Sequence, residues 1–182
     1  MDVNPVISSD RKEIEMADKI ILPGVGHFKK AMENLLNLNM IDSLNEFVLV
    51  KKKPILGICL GMQLMANSSE EGNVPGLGWM DGSVTKFNVR DKLKYKIPHT
   101  GWNQVFICKD NPLLKNIPDS SEFYFIHSYH FNAHNGGDVL TETIYETKFP
   151  SSLAKENILG VQFHPEKSHA AGSVLLQNFI SY

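Results

Sequence analysis

The order of apolar and polar positions predicts strands and helices in the first sixty residues. Short apolar runs at residues 19–22 and 54–59 predict strands, and the second is continuous, as in buried parallel sheets. Between them, apolar residues recur at helical spacing over residues 28–38 and again over 41–50, which predicts two helices. Strands that alternate with helices in this way indicate an α/β fold.

The pattern changes after residue 76, where short β-type runs alternate with polar turns. These runs predict strands at residues 84–89, 104–108, 123–127 and 139–144. Residues 135–138, Asn-Gly-Gly-Asp, predict a hairpin or loop. Residues 170–179 predict a helix that directs Val174, Leu175 and Phe179 to the core. We therefore expect a mostly parallel central sheet flanked by helices, with additional antiparallel strands.

Cys59 lies where the second apolar run ends, inside a Gly-x-Cys-x-Gly motif at residues 57–61. This is the pattern of a nucleophile elbow, a strained strand-to-helix turn in which neighbouring side chains would clash with the backbone. A helix that starts just after Cys59 directs its free N–H groups and positive dipole end at the sulfur. Both effects favour the reactive thiolate. Taken alone, the motif is equally compatible with a buried structural cysteine.

A second chemical motif lies near the other end of the chain. An apolar run over residues 160–163 leads directly into His164-Pro165-Glu166. A thiol nucleophile needs a base that takes its proton, and the base needs a third group that holds its tautomer. On an extended chain, His164 and Glu166 lie on the same side, and Pro165 stiffens the link between them. The cysteine elbow and this pair together predict a Cys-His-Glu catalytic triad.

Composition and charge exclude several classes of function. The chain has 182 residues and a net charge of −2, which suits one domain and gives no indication of a nucleic-acid partner. No apolar run approaches the roughly 18 residues that span a bilayer, and we expect no signal peptide. The histidines lack metal-ligand spacing, so we expect no metal. Two cysteines are too few for a disulfide framework, which fits a reducing cytoplasm.

Two motifs shared by a whole class carry a family resemblance. Gly57-Ile58-Cys59-Leu60-Gly61-Met62-Gln63 and Phe163-His164-Pro165-Glu166 resemble the class I, triad-type glutamine amidotransferases. Further segments resemble the glutaminase subunits of imidazole glycerol phosphate synthase: residues 22–28 (Leu-Pro-Gly-Val-Gly-His-Phe), 98–103 (Pro-His-Thr-Gly-Trp-Asn), 124–129 (Tyr-Phe-Ile-His-Ser-Tyr) and 164–168 (His-Pro-Glu-Lys-Ser). The resemblance runs from about residue 10 to the C-terminus.

The resemblance implies a role for particular residues. Cys59, His164 and Glu166 are the expected catalytic residues. The residues expected to bind glutamine or stabilise the oxyanion are Gly24, Val25, Gly26, Leu60, Gln63, Ser128 and Tyr129. Trp102, His127 and Lys167 are expected to face the synthase partner, and His27 is expected at the surface. No cofactor is implied.

The resemblance also implies a reaction and a partner. Glutamine is cleaved to glutamate and ammonia through a Cys59 thioester, and a (β/α)8 barrel cyclase forms a heterodimer with this chain. The cyclase uses the ammonia to make imidazole glycerol phosphate and an aminoimidazole carboxamide ribonucleotide in histidine biosynthesis. One alternative is a paralogous glutaminase for a sugar amidotransferase of surface-polysaccharide synthesis, suggested by residues 128–131. A cysteine peptidase of the same elbow fold is another, although Gln63 argues against it.

The start of the chain departs from the family pattern. Family members begin with a strand and a helix that carry an Asp-Tyr-Gly-x-Gly-Asn motif, and this motif is absent. We therefore expect residues 1–182 to form a single glutamine amidotransferase type 1 domain, N-terminally truncated relative to the family. An inactive, truncated subunit that only binds its partner is the corresponding alternative.

Overall fold

The computed structural model describes residues 3–182, so the first two residues of the predicted domain 1–182 lie outside the described residues. The α-helices are α1 (Arg11–Met16), α2 (Phe28–Asn37), α3 (Ile41–Asn45), α4 (Leu60–Leu64) and α5 (His169–Ile180). The strands are β1 (Ile20–Gly24), β2 (Ile55–Cys59), β3 (Ser68–Ser69), β4 (Val74–Pro75), β5 (Gly82–Lys86), β6 (His99–Gln104), β7 (Phe106–Ile107), β8 (Glu122–His127), β9 (Tyr129–Ala133), β10 (Val139–Tyr145), β11 (Thr147–Lys155) and β12 (Ile158–Val161).

The main sheet has six strands in the order β1-β2-β12-β11-β10-β7. The α/β class is confirmed, but the sheet is mixed rather than mostly parallel. Strands β1, β2 and β12 pair in parallel, whereas β11, β10 and β7 continue the sheet in antiparallel pairs. Two smaller sheets adjoin it, one of β4-β3-β5-β9 and one of β6-β8.

Two apolar cores lie on the two faces of the main sheet, because successive side chains of a strand point to opposite faces. On one face, Ile55 packs with residues of α2 and α3, such as Phe28 and Leu44. On the other, Leu56 packs with Phe123 of β8 and Leu175 of α5. Burying each of these side chains contributes about 1.5–3 kcal/mol. The continuous apolar run that ends at Cys59 is therefore explained by burial on both faces.

Most predicted elements are confirmed within one to three residues, two differ, and α1, β3, β4, β9 and β11 were not predicted. The helix predicted over 41–50 begins as α3 and continues as a π-helical turn, Glu46–Val50. The run at 104–108 is split into β6 and β7, which lie in different sheets. Strand β11 was missed because its buried positions include Ser151 and Ser152, whose hydroxyls bond to the Thr141 hydroxyl at 2.8 and 2.7 Å.

The Asn-Gly-Gly-Asp segment forms a loop with a short 3-10 turn, Gly136–Asp138, and not a hairpin, because the strands on either side belong to different sheets. The C-terminal helix forms as predicted, with Leu175 and Phe179 buried and Val174 partly buried against the same core. Within residues 3–182, no helix is long and apolar enough to cross a membrane.

Candidate active site

Cys59 occupies the strand-to-helix turn that the sequence predicts. It is the last residue of β2, and α4 begins at Leu60. Its φ of 52° and ψ of −109° lie outside the regions that L-residues ordinarily adopt. The flanking glycines allow this turn. A Cβ added to Gly57 would lie 2.6 Å from the Met62 nitrogen, and one added to Gly61 would lie 1.8 Å from the Leu22 carbonyl oxygen.

His164 and Glu166 form the expected pair. The Nδ1 atom of His164 lies 2.7 Å from Glu166 Oε1, and a 3-10 turn, Pro165–Lys167, holds the carboxylate beside the ring. Ser168 anchors this turn, because its hydroxyl donates to the His164 carbonyl and accepts the Tyr124 N–H. A carboxylate accepts only, so Nδ1 carries the proton and Nε2 presents a lone pair. The orientation is therefore that of a general base.

The thiol of Cys59 is not hydrogen-bonded to that base. It donates to the Ile126 carbonyl oxygen, with a sulfur–oxygen distance of 3.8 Å. His164 Nε2 is buried and has no hydrogen-bond partner among residues 3–182. The hydrogen bond between thiol and base that would allow proton transfer is therefore not formed among residues 3–182.

Burial dominates the ionisation of this thiol. It raises the pKa of Cys59 to about 11, and the nearby Glu166 carboxylate adds to the increase. The Leu60 N–H and the Lys167 ammonium act in the opposite direction but do not compensate. The Leu60 N–H thus acts in the direction that the elbow predicts, but burial outweighs it, because Cys59 is only 6% exposed.

A cavity of about 310 Å³ opens above the sulfur, and most of the predicted substrate residues line it. Those at its wall are Val25, Gly26, Leu60, Gln63, Ser128 and Tyr129, together with Cys59 itself. Gly24 is not at the wall. It pairs with Cys59 across β1 and β2 and lies against Leu60 and Gly61, so it places the Val25–Gly26 loop rather than contacting the cavity.

Glu71 also lines the cavity, and sequence reasoning missed it. Its Oε2 accepts the backbone N–H of Phe28 at 2.7 Å, which fixes the carboxylate between α2 and the cavity wall. The residue lies in a Ser-Ser-Glu-Glu-Gly stretch that has the composition of an exposed turn. No local signal distinguishes it from its neighbour Glu70.

The three residues expected at a partner interface occupy different environments. Trp102 is 44% exposed, and its ring stacks on His169 with centroids 5.0 Å apart. Lys167 lines the cavity and places its ammonium 5.8 Å from the Tyr124 ring. His127 is only 6% exposed and lies inside the fold, and its contact with the partner stays a prediction. His27 is exposed, as expected.

His127 lines the cavity and belongs to a buried chain of hydrogen bonds at its wall. Its Nδ1 donates to the Tyr129 carbonyl at 2.7 Å, and its Nε2 lies 3.1 Å from His99 Nδ1. His99 Nε2 then accepts from the Asn103 amide at 3.2 Å. Burial lowers the pKa of His127 well below its ordinary value and that of His99 to about 4, so both rings are neutral near pH 7.

In residues 3–182, no group of three or more His, Cys, Asp or Glu is arranged to hold a metal.

Sequence comparison with known proteins identifies the family to which the chain belongs. The family model for class I glutamine amidotransferases matches residues 2–181. Imidazole glycerol phosphate synthase subunit HisH 2 of Methanococcus maripaludis is 49% identical over 175 residues, which cover 96% of this chain and 86% of that protein. The protein of the same name from Pseudomonas aeruginosa is 45% identical and covers 95% and 85% of the two chains.

Solved structures show the same fold at low sequence identity. A glutamine amidotransferase crystal structure superposes with a TM-score of 0.69 at 17% identity, covering 94% of this chain and 84% of that one. The glutaminase domain of Trypanosoma brucei CTPS gives a TM-score of 0.64 at 19% identity, covering 94% and 74%. These structural similarities show a shared fold and nothing further about the site.

Proposed function

Because the chain belongs to the class I glutamine amidotransferases, we propose that it hydrolyses glutamine as the glutaminase subunit of imidazole glycerol phosphate synthase. The observation that carries the proposal is the elbow cysteine at the base of a cavity, with an oriented His164–Glu166 pair beside it. Identity of 45–49% to HisH subunits over nearly the whole chain supports the choice of acceptor reaction.

The mechanism begins with a proton transfer. His164 Nε2 takes the proton of Cys59 Sγ, and the sulfur attacks the carboxamide carbon of glutamine. The carbonyl oxygen becomes an oxyanion, which the Leu60 N–H and an N–H of the Val25–Gly26 loop stabilise. His164 then returns the proton to the departing nitrogen, so ammonia leaves and a γ-glutamyl thioester remains. Water, activated by His164, hydrolyses the thioester to glutamate and restores the thiol.

The cavity wall suits the rest of the substrate. The Glu71 carboxylate is a partner for the α-ammonium of glutamine, and Ser128 and Tyr129 offer neutral polar contacts near its main-chain end. Both amide hydrogens of Gln63 are used, since Nε2 donates to the Tyr129 carbonyl and to Gln162 Oε1. Gln63 therefore contacts the substrate only as an acceptor, through its own carbonyl oxygen.

The ammonia passes to a (β/α)8 barrel cyclase that forms a heterodimer with this chain, docked at the face of Trp102 and Lys167. There it is used to make imidazole glycerol phosphate and an aminoimidazole carboxamide ribonucleotide in histidine biosynthesis. We place the reaction in the cytoplasm, where a catalytic thiol stays reduced. The relatives described above give no support to a sugar amidotransferase partner or to an inactive subunit.

Isotope transfer tests the whole proposal. The chain is incubated with glutamine labelled with ¹⁵N in its amide, the cyclase and the cyclase's nucleotide substrate. We expect ¹⁵N in imidazole glycerol phosphate and equimolar glutamate. The matched control is Cys59→Ala, which should yield neither. Glutamate without label transfer would contradict the acceptor, and label transfer by the Cys59→Ala variant would contradict the site.

A further inference from the structure

Gln162 is a buried polar residue to which the mechanism above assigns no task. It lies just beyond β12, two residues before His164, and is fully buried. Its side-chain nitrogen lies 3.7 Å from Cys59 Sγ, within hydrogen-bonding distance for sulfur. Its Oε1 accepts from Gln63 Nε2 at 2.9 Å. Its side chain thus connects the nucleophile with a residue of the cavity wall.

The Tyr129 carbonyl determines which end of Gln162 faces the sulfur. A carbonyl oxygen only accepts, so Gln63 must present its NH₂ group there, at 2.8 Å. The same NH₂ group also donates to Gln162, so Gln162 must present its Oε1 atom there as the acceptor. The NH₂ group of Gln162 is then the part directed at Cys59. Turning either amide over would bring two donors or two acceptors together, at a cost of roughly 1–3 kcal/mol for each buried group left unpaired.

We propose that Gln162 is a catalytic residue whose amide N–H stabilises the Cys59 thiolate, and that Gln63 is the positioning residue that holds this amide in place. The inference rests on the proposed function, since it assigns a further role in the same thiol chemistry. When His164 takes the thiol proton, the sulfur becomes negative in a buried site. A neutral N–H donor stabilises that charge without repelling the imidazolium that forms beside it.

The effect of such a donor on the reactivity of Cys59 follows from two opposing changes, in the thiolate fraction and in the nucleophilicity of the thiolate. Burial raises the pKa of Cys59 to about 11, so near neutral pH almost all of the sulfur is protonated. Each unit by which a donor lowers that pKa increases the thiolate fraction about tenfold, whereas the nucleophilicity of the thiolate falls only about threefold. The donor therefore accelerates reaction about threefold for every unit. Glu166 raises and Lys167 lowers the same pKa, and the variants below leave both residues in place.

Alkylation by iodoacetamide tests the proposal without glutamine. The experiment uses a Cys108→Ser background, because Cys108 is the other cysteine of the chain and is exposed. Gln162→Met keeps the approximate length of the side chain and removes the donor. Gln63 does not contact the sulfur. Gln63→Met removes the hydrogen bond that holds the Gln162 amide, so that amide becomes free to turn. We expect both variants to slow alkylation of Cys59 at pH 8 by about three- to tenfold and to displace its pH profile upward.

Asn157→Leu is the matched control, since it removes a different buried amide at the opposite end of β2, where Asn157 binds the carbonyls of Val48 and Lys53. It should lower stability but leave the alkylation profile unchanged.

In the glutaminase assay, Gln162→Met should lower kcat and leave KM within about twofold, because Gln162 is not at the cavity wall.

An unchanged alkylation profile in folded Gln162→Met, judged by circular dichroism, would overturn the proposal. If that variant does not fold, Gln63→Met decides: a displaced profile supports the proposal and an unchanged one overturns it. Failure of the proposed function would look different. Glutamine hydrolysis would then persist in Cys59→Ala, whatever the alkylation profile.

Discussion

The thiol of Cys59 donates to the carbonyl oxygen of Ile126, 3.8 Å away, and makes no hydrogen bond to the base His164. Ile126 lies on β8, one residue before the buried His127 and two residues after Tyr124. Residues on the outer side of β6 and β8, such as Trp102, belong to the face where we place the cyclase. The thiol must leave the Ile126 carbonyl before it can give its proton to His164, and Ile126 lies on the strand that pairs with the Trp102 strand.

We therefore expect the isolated chain to be a slow glutaminase that the cyclase and its nucleotide ligand activate. An activation of about 10²-fold corresponds to roughly 2.7 kcal/mol taken from partner binding. Steady-state glutamate release with and without the cyclase measures it, and Trp102→Ala should reduce the activation while leaving the unassisted rate unchanged. Full activity of the chain alone would contradict the coupling.

Replacing the nucleophile should remove activity and preserve the fold. Cys59→Ala and Cys59→Ser are expected to lower glutamate release by at least about 10³-fold, because an alanine has no nucleophile and a serine hydroxyl ionises far less readily than a thiol. Circular dichroism should show no change. Cys108→Ser, at the exposed cysteine, is the control and should keep full activity. A Cys59→Ala variant that still released glutamate would show that the nucleophile is misassigned.

His164→Asn should cost more activity than Glu166→Gln. His164 moves the proton at each step, so its loss should lower kcat about 10³-fold or more. Glu166 only orients the ring, and its side chain is 49% exposed, so water partly replaces its charge when it is lost. We expect a smaller loss for Glu166→Gln. Measuring kcat and KM for both variants tests the order, and a larger loss in Glu166→Gln would reverse the assignment.

Gly61→Ala should destabilise the chain severely. The new Cβ would lie 1.8 Å from the Leu22 carbonyl oxygen, so β1 and α4 must separate. We expect the free energy of unfolding to fall by about 3 kcal/mol or more, measured by urea denaturation. Gly136→Ala is the control, because nothing lies within 4 Å of its added Cβ. Equal stability of the two variants would show that the close approach at Gly61 is relaxed at little cost.

Stability should fall as the pH is lowered from about 6.5 toward 4. Burial lowers the folded-state pKa of His99 to about 4, whereas the unfolded chain protonates this residue near its ordinary value of 6.5. The unfolded state therefore binds more protons in this window, and linkage makes it more favourable there. For His99 alone the loss approaches about 3 kcal/mol.

The neighbouring His127 adds to this effect, because its pKa is lowered in the same direction. Urea denaturation at a series of pH values measures the slope. A His99→Leu variant should show a shallower dependence than the wild type. A wild-type slope in His99→Leu would show that His99 is not the group that titrates.

The sequence by itself determined the parts of the site whose chemistry depends on near neighbours. The turn at Cys59 requires Gly57 and Gly61, and the His164–Glu166 pair spans only two residues, so both are visible as local motifs. The alternation of strands and helices follows likewise from hydrophobic spacing, which is why the α/β class was predictable.

Only the tertiary structure decided how those motifs meet. The contact of Cys59 with Ile126, the role of Glu71 and the amide chain through Gln63 and Gln162 each join residues that lie far apart in the sequence. The high pKa of the thiol arises from burial, which a strand-and-helix pattern does not report. Strand β11 was hidden for the same physical reason, since its buried serines are satisfied by partners on another strand. Long-range contacts determine desolvation and hydrogen-bond partners, and local sequence determines only the turns that make those contacts possible.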